Sequence, residues 1–330
     1  MKKILICGEI PPEAHQHLRG CFKVEWAHRG MTPVRFKRAL ADCHGALVLI
    51  DNGITEEVLA AAPQLECISN YGVGFDHIDV LAARRHGVVV THTPDVLTDA
   101  TADIAWALVL SCARRLPEGE KLVRRGRFKG WHPMMLLGQD LKGKTLGLYG
   151  FGRIGQAVAC RAKGWGMKVI YHQRHRVPRA VEVELNAVRV GFDALLRQSD
   201  VLSVHAPLTP MTKRRFTRVE FNRMKKTALF VNTSRGGLHD EADLVRALKE
   251  GRIFYAGLDV YEKEPRIDPH LRNSSRCVLL PHLGSGTVDT RRRMALMSAG
   301  DLKNVLSGRP AIHPVPGGLK RPLRAPALRG

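Results

Sequence analysis

Short uninterrupted apolar runs alternate along most of the chain with longer stretches in which apolar residues recur every three or four positions. A run of four to eight apolar residues between turn formers is the mark of a strand buried on both faces, since neither face then needs a polar side chain. Ile4 to Cys7, Ala46 to Ile50, Leu65 to Ser69 and Val88 to Thr91 are runs of this kind, and they predict parallel strands of a first α/β unit. A long amphipathic stretch from about Thr98 to Arg125 follows, and Gly143 to Tyr149 opens a second series. That series continues with Lys168 to Tyr171, Val201 to His205, Ala228 to Asn232, Phe254 to Val260 and Cys277 to Pro281, with room for a crossover between successive runs. It stops near Ser285, and residues 287–306 are helical in pattern, which predicts a helix that returns the chain to the first unit. No repeat of solenoid period is present.

The strand Leu146 to Tyr149 runs into Gly150-Phe151-Gly152-Arg153-Ile154-Gly155, and a helical pattern follows from Gln156. In that setting a G-x-G-x-x-G turn aims backbone N–H groups at a pyrophosphate, which predicts a dinucleotide-binding, Rossmann-like unit. An acid about twenty residues on would read the ribose hydroxyls of NAD. None stands there. The strand ends in Tyr171-His172-Gln173-Arg174-His175-Arg176, and Arg174 lies nineteen residues beyond Gly155, where a guanidinium can hold a 2′-phosphate. NADP(H) is therefore the preferred cofactor, with NAD(H) the second possibility. Arg176 joins Arg174 in this expectation.

Arg235, Glu264 and His282 each follow a predicted strand, on the side of an open parallel sheet where ligands collect. Reducing a 2-oxo acid by hydride needs a cation to hold the carboxylate and polarise the carbonyl, and an acid to protonate the developing alkoxide. Arg235 supplies the cation. Histidine changes charge between pH 5 and 8, so His282 suits the acid, and Glu264 on its second ring nitrogen would steady the imidazolium and fix the tautomer. Asp259 is a candidate for the nicotinamide carboxamide.

These segments resemble the D-isomer-specific 2-hydroxyacid dehydrogenases. The resemblance runs in order over about residues 1–315, through Asn70 to Asp79, the glycine turn, His205 to Thr209, Asn232 to Gly237, Gly257 to Pro265 and Pro281 to Ser285. It implies Arg235, Glu264 and His282 as the catalytic set, and a substrate carboxylate held by backbone N–H groups near Val73 and Gly74, with Arg235 and Ser285 also on the substrate. The cofactor contacts expected with it are Thr101, Gly150, Gly152, Arg153, Ile154, Gly155, Arg174, Arg176, His205, Pro207, Thr212, Thr233, Asp259, His282 and Gly284. The implied fold is α/β, with two Rossmann-like or flavodoxin-like domains built on parallel sheets and the active site in the cleft between them. Residues 1–98 with 287–315 would be the discontinuous substrate-binding domain. Residues 99–286 would bind the dinucleotide and carry, around residues 100–140, an arm that forms a homodimer.

Within the family, Trp131 to Gly138 and Tyr171 to Arg174 resemble the glyoxylate and hydroxypyruvate reductase branch, which extends to 2-ketogluconate reductases. Gly126 to Trp131 is also similar to phosphonate (phosphite) dehydrogenase, but that enzyme carries lysine where this chain has Val73, so a phosphite dianion would lack its cation. The substrate side chain depends on the loops around Gly53, Tyr71 and Met135. His239 departs from the family, which usually has a small apolar residue before Asp240-Glu241. The carboxyl-terminal binding proteins, co-repressors that sense NAD(H), share the fold and the triad, but the basic 172–176 segment argues against that reading.

Composition changes this picture little. The 330 residues are 44% hydrophobic, enough for packed cores. Seven cysteines without a C-x-x-C pair give neither a zinc spacing nor a disulfide framework, so no metal is expected, and reduced thiols fit a cytoplasmic protein. Ile4 to Cys7 is too short for a signal sequence, and no segment has membrane-spanning length. The net charge of +21 raises nucleic acid as a partner, but it is dispersed. Its densest clusters, Arg291 to Arg293 and Lys320, Arg321, Arg324 and Arg329, have no interleaved aromatic residues to stack on bases. A solvated basic surface that also favours an anionic cofactor and a small 2-oxo or 2-hydroxy acid is the expectation. Residues 316–330, rich in Pro, Gly, Lys and Arg, predict a disordered basic tail.

Overall fold

The computed structural model describes residues 1–28 and 30–323. The chain divides into two compact units, one of Met1–Leu97 with the chain from Thr287 onward, the other of Thr98–Gly286. The first unit holds a parallel sheet of β1 (Lys3–Cys7), β2 (Lys23–Ala27), β3 (Gly45–Val48), β4 (Cys67–Asn70) and β5 (Val89–Thr91), in the order β2-β1-β3-β4-β5. β2 escapes the apolar-run criterion because it is an edge strand. Lys-Val-Glu-Trp-Ala buries only Ala27 fully, and Trp26 is exposed. The helix Val288–Leu306 packs on β3 and β4 with Ala295, Ala299 and Leu302 fully buried.

The end of the chain differs from the disordered tail expected from residue 316. The Val315 N–H donates to Val90 O at 3.0 Å, the Ala311 N–H to Lys320 O at 2.8 Å and the Leu323 N–H to Gly87 O at 3.1 Å. Backbone hydrogen bonds thus tie residues 316–323 to the first sheet's edge, which a reading of side-chain composition cannot anticipate. Arg324 to Gly330 lie outside the described residues.

The second unit holds β6 (Thr145–Tyr149), β7 (Lys168–His172), β8 (Ala187–Arg189), β9 (Val201–Val204), β10 (Leu229–Asn232), β11 (Tyr255–Leu258) and β12 (Cys277–Leu279). All pair in parallel, in the order β12-β11-β10-β9-β6-β7-β8. Leu146, Leu148, Val201, Leu229, Val231 and Tyr255 pack on one face. Tyr149, Leu202, Val204, Phe230, Ala256 and Leu258 pack on the other. Both faces are covered, which is why these strands read as continuous apolar runs. A Leu148→Ala truncation at such a site costs about 2–5 kcal/mol. β8 was not expected, because only Ala187 of its three residues is buried.

The stretch 98–125 is two helices, Thr98–Ala113 and Leu116–Arg124, separated at Arg115, whose φ of +52° ends the first. The first is buried along most of its length and packs on β10, β11 and the helix Arg153–Ala162. Its Trp106 indole donates to Val158 O at 3.0 Å. Strand order reverses at β6, with β9 on one side and β7 on the other, which opens a crevice at the C-terminal ends of these strands.

Candidate active site

β6 ends at Tyr149 and delivers the glycine turn into that crevice. Gly150 has φ of +92°, and a Cβ there would lie 2.6 Å from Ala206 N, so both conformation and space demand glycine. A Cβ on Gly155 would lie 2.5 Å from Gly150 O, which is how closely the helix packs on its own turn. Gly152 is the opposite case: a Cβ there meets nothing within 4 Å. It caps the ten-residue helix Arg153–Ala162 without a side-chain hydrogen bond. The space beside the first turn, at Gly152, is therefore open at the positive end of the helix dipole, a cradle that suits a pyrophosphate.

Beyond β9, His205 is half-buried with its ring Nε2 at 2.8 Å from Ser203 Oγ. Burial pushes its pKa down to about 3, so it brings shape rather than charge at neutral pH. The Thr212 hydroxyl donates to Pro207 O at 2.7 Å and accepts the Thr209 N–H at 2.8 Å, closing the next loop. The Thr233 hydroxyl, beyond β10, is buried without a partner in the structure.

The loop after β7 is pinned at several points. Gln173 Oε1 accepts the Phe151 N–H of the glycine turn at 2.9 Å, and its Nε2 donates to His175 O at 2.7 Å. Arg189 donates to the carbonyls of Gln173 and Arg174 at 3.2 and 3.1 Å. Arg176 bonds Glu182 through Nε at 2.9 Å and Nη2 at 2.7 Å, and Tyr171 OH and Arg179 donate to the same carboxylate at 2.8 and 3.0 Å. The Arg176 bonds lead in holding Glu182 down at about 2. Both arginines are exposed, and Arg176 is engaged by an acid. The sequence reading paired the two arginines because Glu182 reaches the loop only once the helix Arg179–Leu185 folds back on it.

Arg235, Glu264 and His282, the candidate catalytic groups, stand past β10, β11 and β12. His282 Nδ1 lies 2.8 Å from Glu264 Oε2, and Glu264 Oε1 accepts the Tyr261 N–H at 2.9 Å. Burial alone would raise the Glu264 carboxyl. The hydrogen bond and charge of His282, the Tyr261 N–H and the charge of Arg235 outweigh it and leave the carboxyl below its ordinary value. With Nδ1 occupied, the ring offers Nε2 for chemistry. His282 itself has φ of +56°, a conformation that needs support. Asp259 provides that support. Its carbonyl accepts the His282 N–H at 3.0 Å, and its carboxylate accepts the Leu283 and Gly284 N–H groups at 2.6 and 2.7 Å. Burial raises the Asp259 carboxyl against these bonds. Both its oxygens serve the His282 loop, which the expectation of a carboxamide contact did not include. Thr101 lies beside the same loop, where a Cβ on Gly284 would meet it at 3.4 Å.

Arg235 precedes the short 3-10 turn Gly236–Leu238, and its Nη1 donates to Ser234 O at 2.8 Å. Asn232, the last residue of β10, organises this loop: its Oδ1 accepts the Ser234 N–H and its Nδ2 donates to Arg235 O, both at 2.9 Å. Asn70 does the same after β4, donating to Gly72 O at 3.0 Å and Gly74 O at 2.9 Å, while the His92 ring meets Val73 O at 3.0 Å. Val73 and Gly74 therefore sit in a tied loop of the first unit, and Ser285 closes the segment after Gly284 in the second. Asn70, Asn232, Gln173 and Glu182 went unassigned in the sequence. The two asparagines carried a signal, since each ends a strand just ahead of a glycine-containing loop.

Among the described residues no three His, Cys, Asp or Glu side chains cluster as metal ligands, and no helix is long and apolar enough to cross a membrane. Residues 106–284 match the family described as D-isomer specific 2-hydroxyacid dehydrogenase, NAD binding domain. The chain is 44% identical over 306 residues to a glyoxylate reductase of Thermococcus litoralis, covering 91% of this chain and 92% of the relative. Among solved structures it resembles an NADPH-dependent glyoxylate/hydroxypyruvate reductase from Sinorhizobium meliloti in complex with NADP and malonate. That match has a TM-score of 0.88 and 34% identity over 98% of this chain and 99% of the other. A glyoxylate reductase from Paecilomyes thermophila matches with a TM-score of 0.87 and 34% identity, over 96% of this chain and 98% of that one.

Proposed function

The chain belongs to the D-isomer-specific 2-hydroxyacid dehydrogenases, NAD(P)-dependent oxidoreductases acting on CH–OH donors, and on that premise we propose that it reduces glyoxylate or hydroxypyruvate with NADPH. 2-Ketogluconate is the further candidate. The observation that carries this reading is the His282–Glu264 pair at 2.8 Å, within the field of Arg235, at the same edge of the parallel sheet as the glycine turn. The names of the relatives support the substrate class.

In this reading the nicotinamide supplies a hydride to the carbonyl carbon when bound. Arg235 draws the substrate carboxylate in and polarises the carbonyl, and the backbone N–H groups at Val73 and Gly74, with Ser285, hold the carboxylate. His282 delivers a proton from Nε2 to the forming alkoxide, and Glu264 keeps the ring oriented and stabilises its charged form. Asp259 holds the loop that carries His282. The amides of Arg153 and Ile154 take the pyrophosphate. Thr101, His205, Pro207, Thr212, Thr233 and Gly284 line the rest of the cofactor's path. Arg174 holds the 2′-phosphate, with Arg176 bracing the loop through Glu182.

The first unit serves the substrate and the second the cofactor. The arm after Arg115 exposes Val123, Phe128, Trp131 and Met134, with Trp131 80% and Met134 71% exposed. So much apolar surface on one arm supports a homodimer through it. The test of function is absorbance at 340 nm after glyoxylate, hydroxypyruvate or 2-ketogluconate is added with NADPH or NADH. Turnover with NADPH is expected. No turnover with any 2-oxo acid would defeat the enzyme reading in favour of a cofactor-sensing protein, and a preference for NADH would defeat the role of Arg174. Light scattering in solution tests the dimer, and a monomer would overturn it.

A further inference from the structure

His239 is fully buried beyond the Arg235 loop. Its Nδ1 lies 3.1 Å from Asn232 Nδ2, and its ring meets Phe230 edge-on at 5.7 Å. The orientation of the Asn232 amide is dictated by backbone on two sides. The Ser234 N–H requires an oxygen at one position and the Arg235 carbonyl a nitrogen at the other. Asn232 Nδ2 must therefore donate to His239, His239 Nδ1 must accept, and the proton of the neutral ring sits on Nε2. That Nε2 is buried without a partner in the structure, a cost that an apolar residue would avoid. What the ring provides in return is the second acceptor that Asn232 needs, so that every hydrogen-bonding group of its amide is used.

We propose that His239 is a positioning residue for Arg235: by occupying the second N–H of Asn232 it locks the amide whose first N–H holds the Arg235 carbonyl. This rests on the reading of Arg235 as the group that binds the substrate carboxylate. A neutral hydrogen bond contributes about fivefold in an equilibrium, which sets the scale of the effect.

The experiment compares H239V, H239Q and R235A with the unaltered enzyme, measuring KM and kcat for glyoxylate and Kd for NADPH by fluorescence. H239V is expected to raise KM about fivefold with kcat and NADPH Kd within twofold. H239Q, which can again offer an acceptor to Asn232, is expected to restore most of it. An unchanged KM in H239V, or a KM and NADPH Kd that rise together, overturns the proposal. R235A separates the two levels. If it leaves KM and kcat intact, the Arg235 reading fails, whereas a large loss in R235A beside an unaltered H239V condemns the role of His239 alone. Should H239V not fold, the long-range proton–nitrogen spectrum of the histidine rings in the unaltered protein decides. A neutral His239 protonated on Nε2 with Nδ1 accepting supports the lock, and a ring protonated on Nδ1 refutes it.

Discussion

At the end of β6 the protein offers backbone, and at the ends of β10, β11 and β12 it offers side chains. The turn Gly150 to Gly155 works because side chains are missing: one glycine turns the chain, one lets the helix approach, and one leaves open the space above the helix amides. Around His282 the reverse holds. Glu264 and Asp259, past β11, hold the strained His282 and its loop, past β12, through hydrogen bonds of 2.6–3.0 Å, and Arg235, past β10, adds its charge. Binding of an anion asks for a row of amides in one stretch of chain, whereas proton delivery asks for groups of opposite charge at set distances, which no single stretch can supply.

The two regions should therefore fail separately. His282→Ala is expected to lower kcat by about two to four orders of magnitude and leave NADPH affinity unchanged, as read by stopped-flow and fluorescence titration. A comparable loss of cofactor affinity would dissolve the division. Gly152→Glu, which places a carboxylate in the open space over the helix, should weaken NADPH binding about a hundredfold by charge repulsion, with kcat at saturating cofactor little altered. A variant that binds NADPH normally would show that the pyrophosphate lies elsewhere.

Smaller effects sharpen the cofactor side. Arg174→Ala is expected to reduce the ratio of kcat/KM for NADPH over NADH by about ten- to a hundredfold, the worth of a charge-assisted hydrogen-bond pair. Arg176→Ala should hardly move that ratio but should lower Tm, because it strips the leading partner from Glu182. Equal effects on the ratio would return Arg176 to the phosphate. The smallest effect is in acid. Glu182 is held at about 2, below its ordinary value, so its contribution to stability is complete above the usual carboxylate range and is lost as pH falls from there toward about 2. Circular dichroism of Glu182→Gln should show part of the acid sensitivity of the unaltered protein missing in that window. Identical acid unfolding curves would remove Glu182 from the account.

Much of this was legible in the sequence, because the central strands are buried on both faces and must be written in apolar runs. The glycine turn was legible for the same kind of reason: its function depends on local backbone geometry. β2 and β8 were not, since edge strands bury little and so carry mixed residues. The break at Arg115 was missed because both halves keep a helical pattern, and only the φ of one residue separates them.

The candidate site divides along the same line. Spacing alone put Arg235, Glu264 and His282 just past strand ends, where a parallel sheet gathers its ligands. The partners of these groups came only with the fold. Arg174 and Arg176 are near-equals in the sequence and both are exposed, yet Arg176 is clasped by Glu182. Asp259 reads in the sequence as a cofactor ligand, and only the fold adds its bonds to Leu283 and Gly284, just as His239 reads as a mere departure until Asn232 is seen beside it. The sequence by itself determined the α/β architecture and marked the glycine turn and the candidate residues, because periodicity and local motifs are properties of neighbouring positions. The tertiary structure alone decided which charges are paired within the protein, because a side chain's hydrogen-bond partners are set by distance in space rather than by separation along the chain.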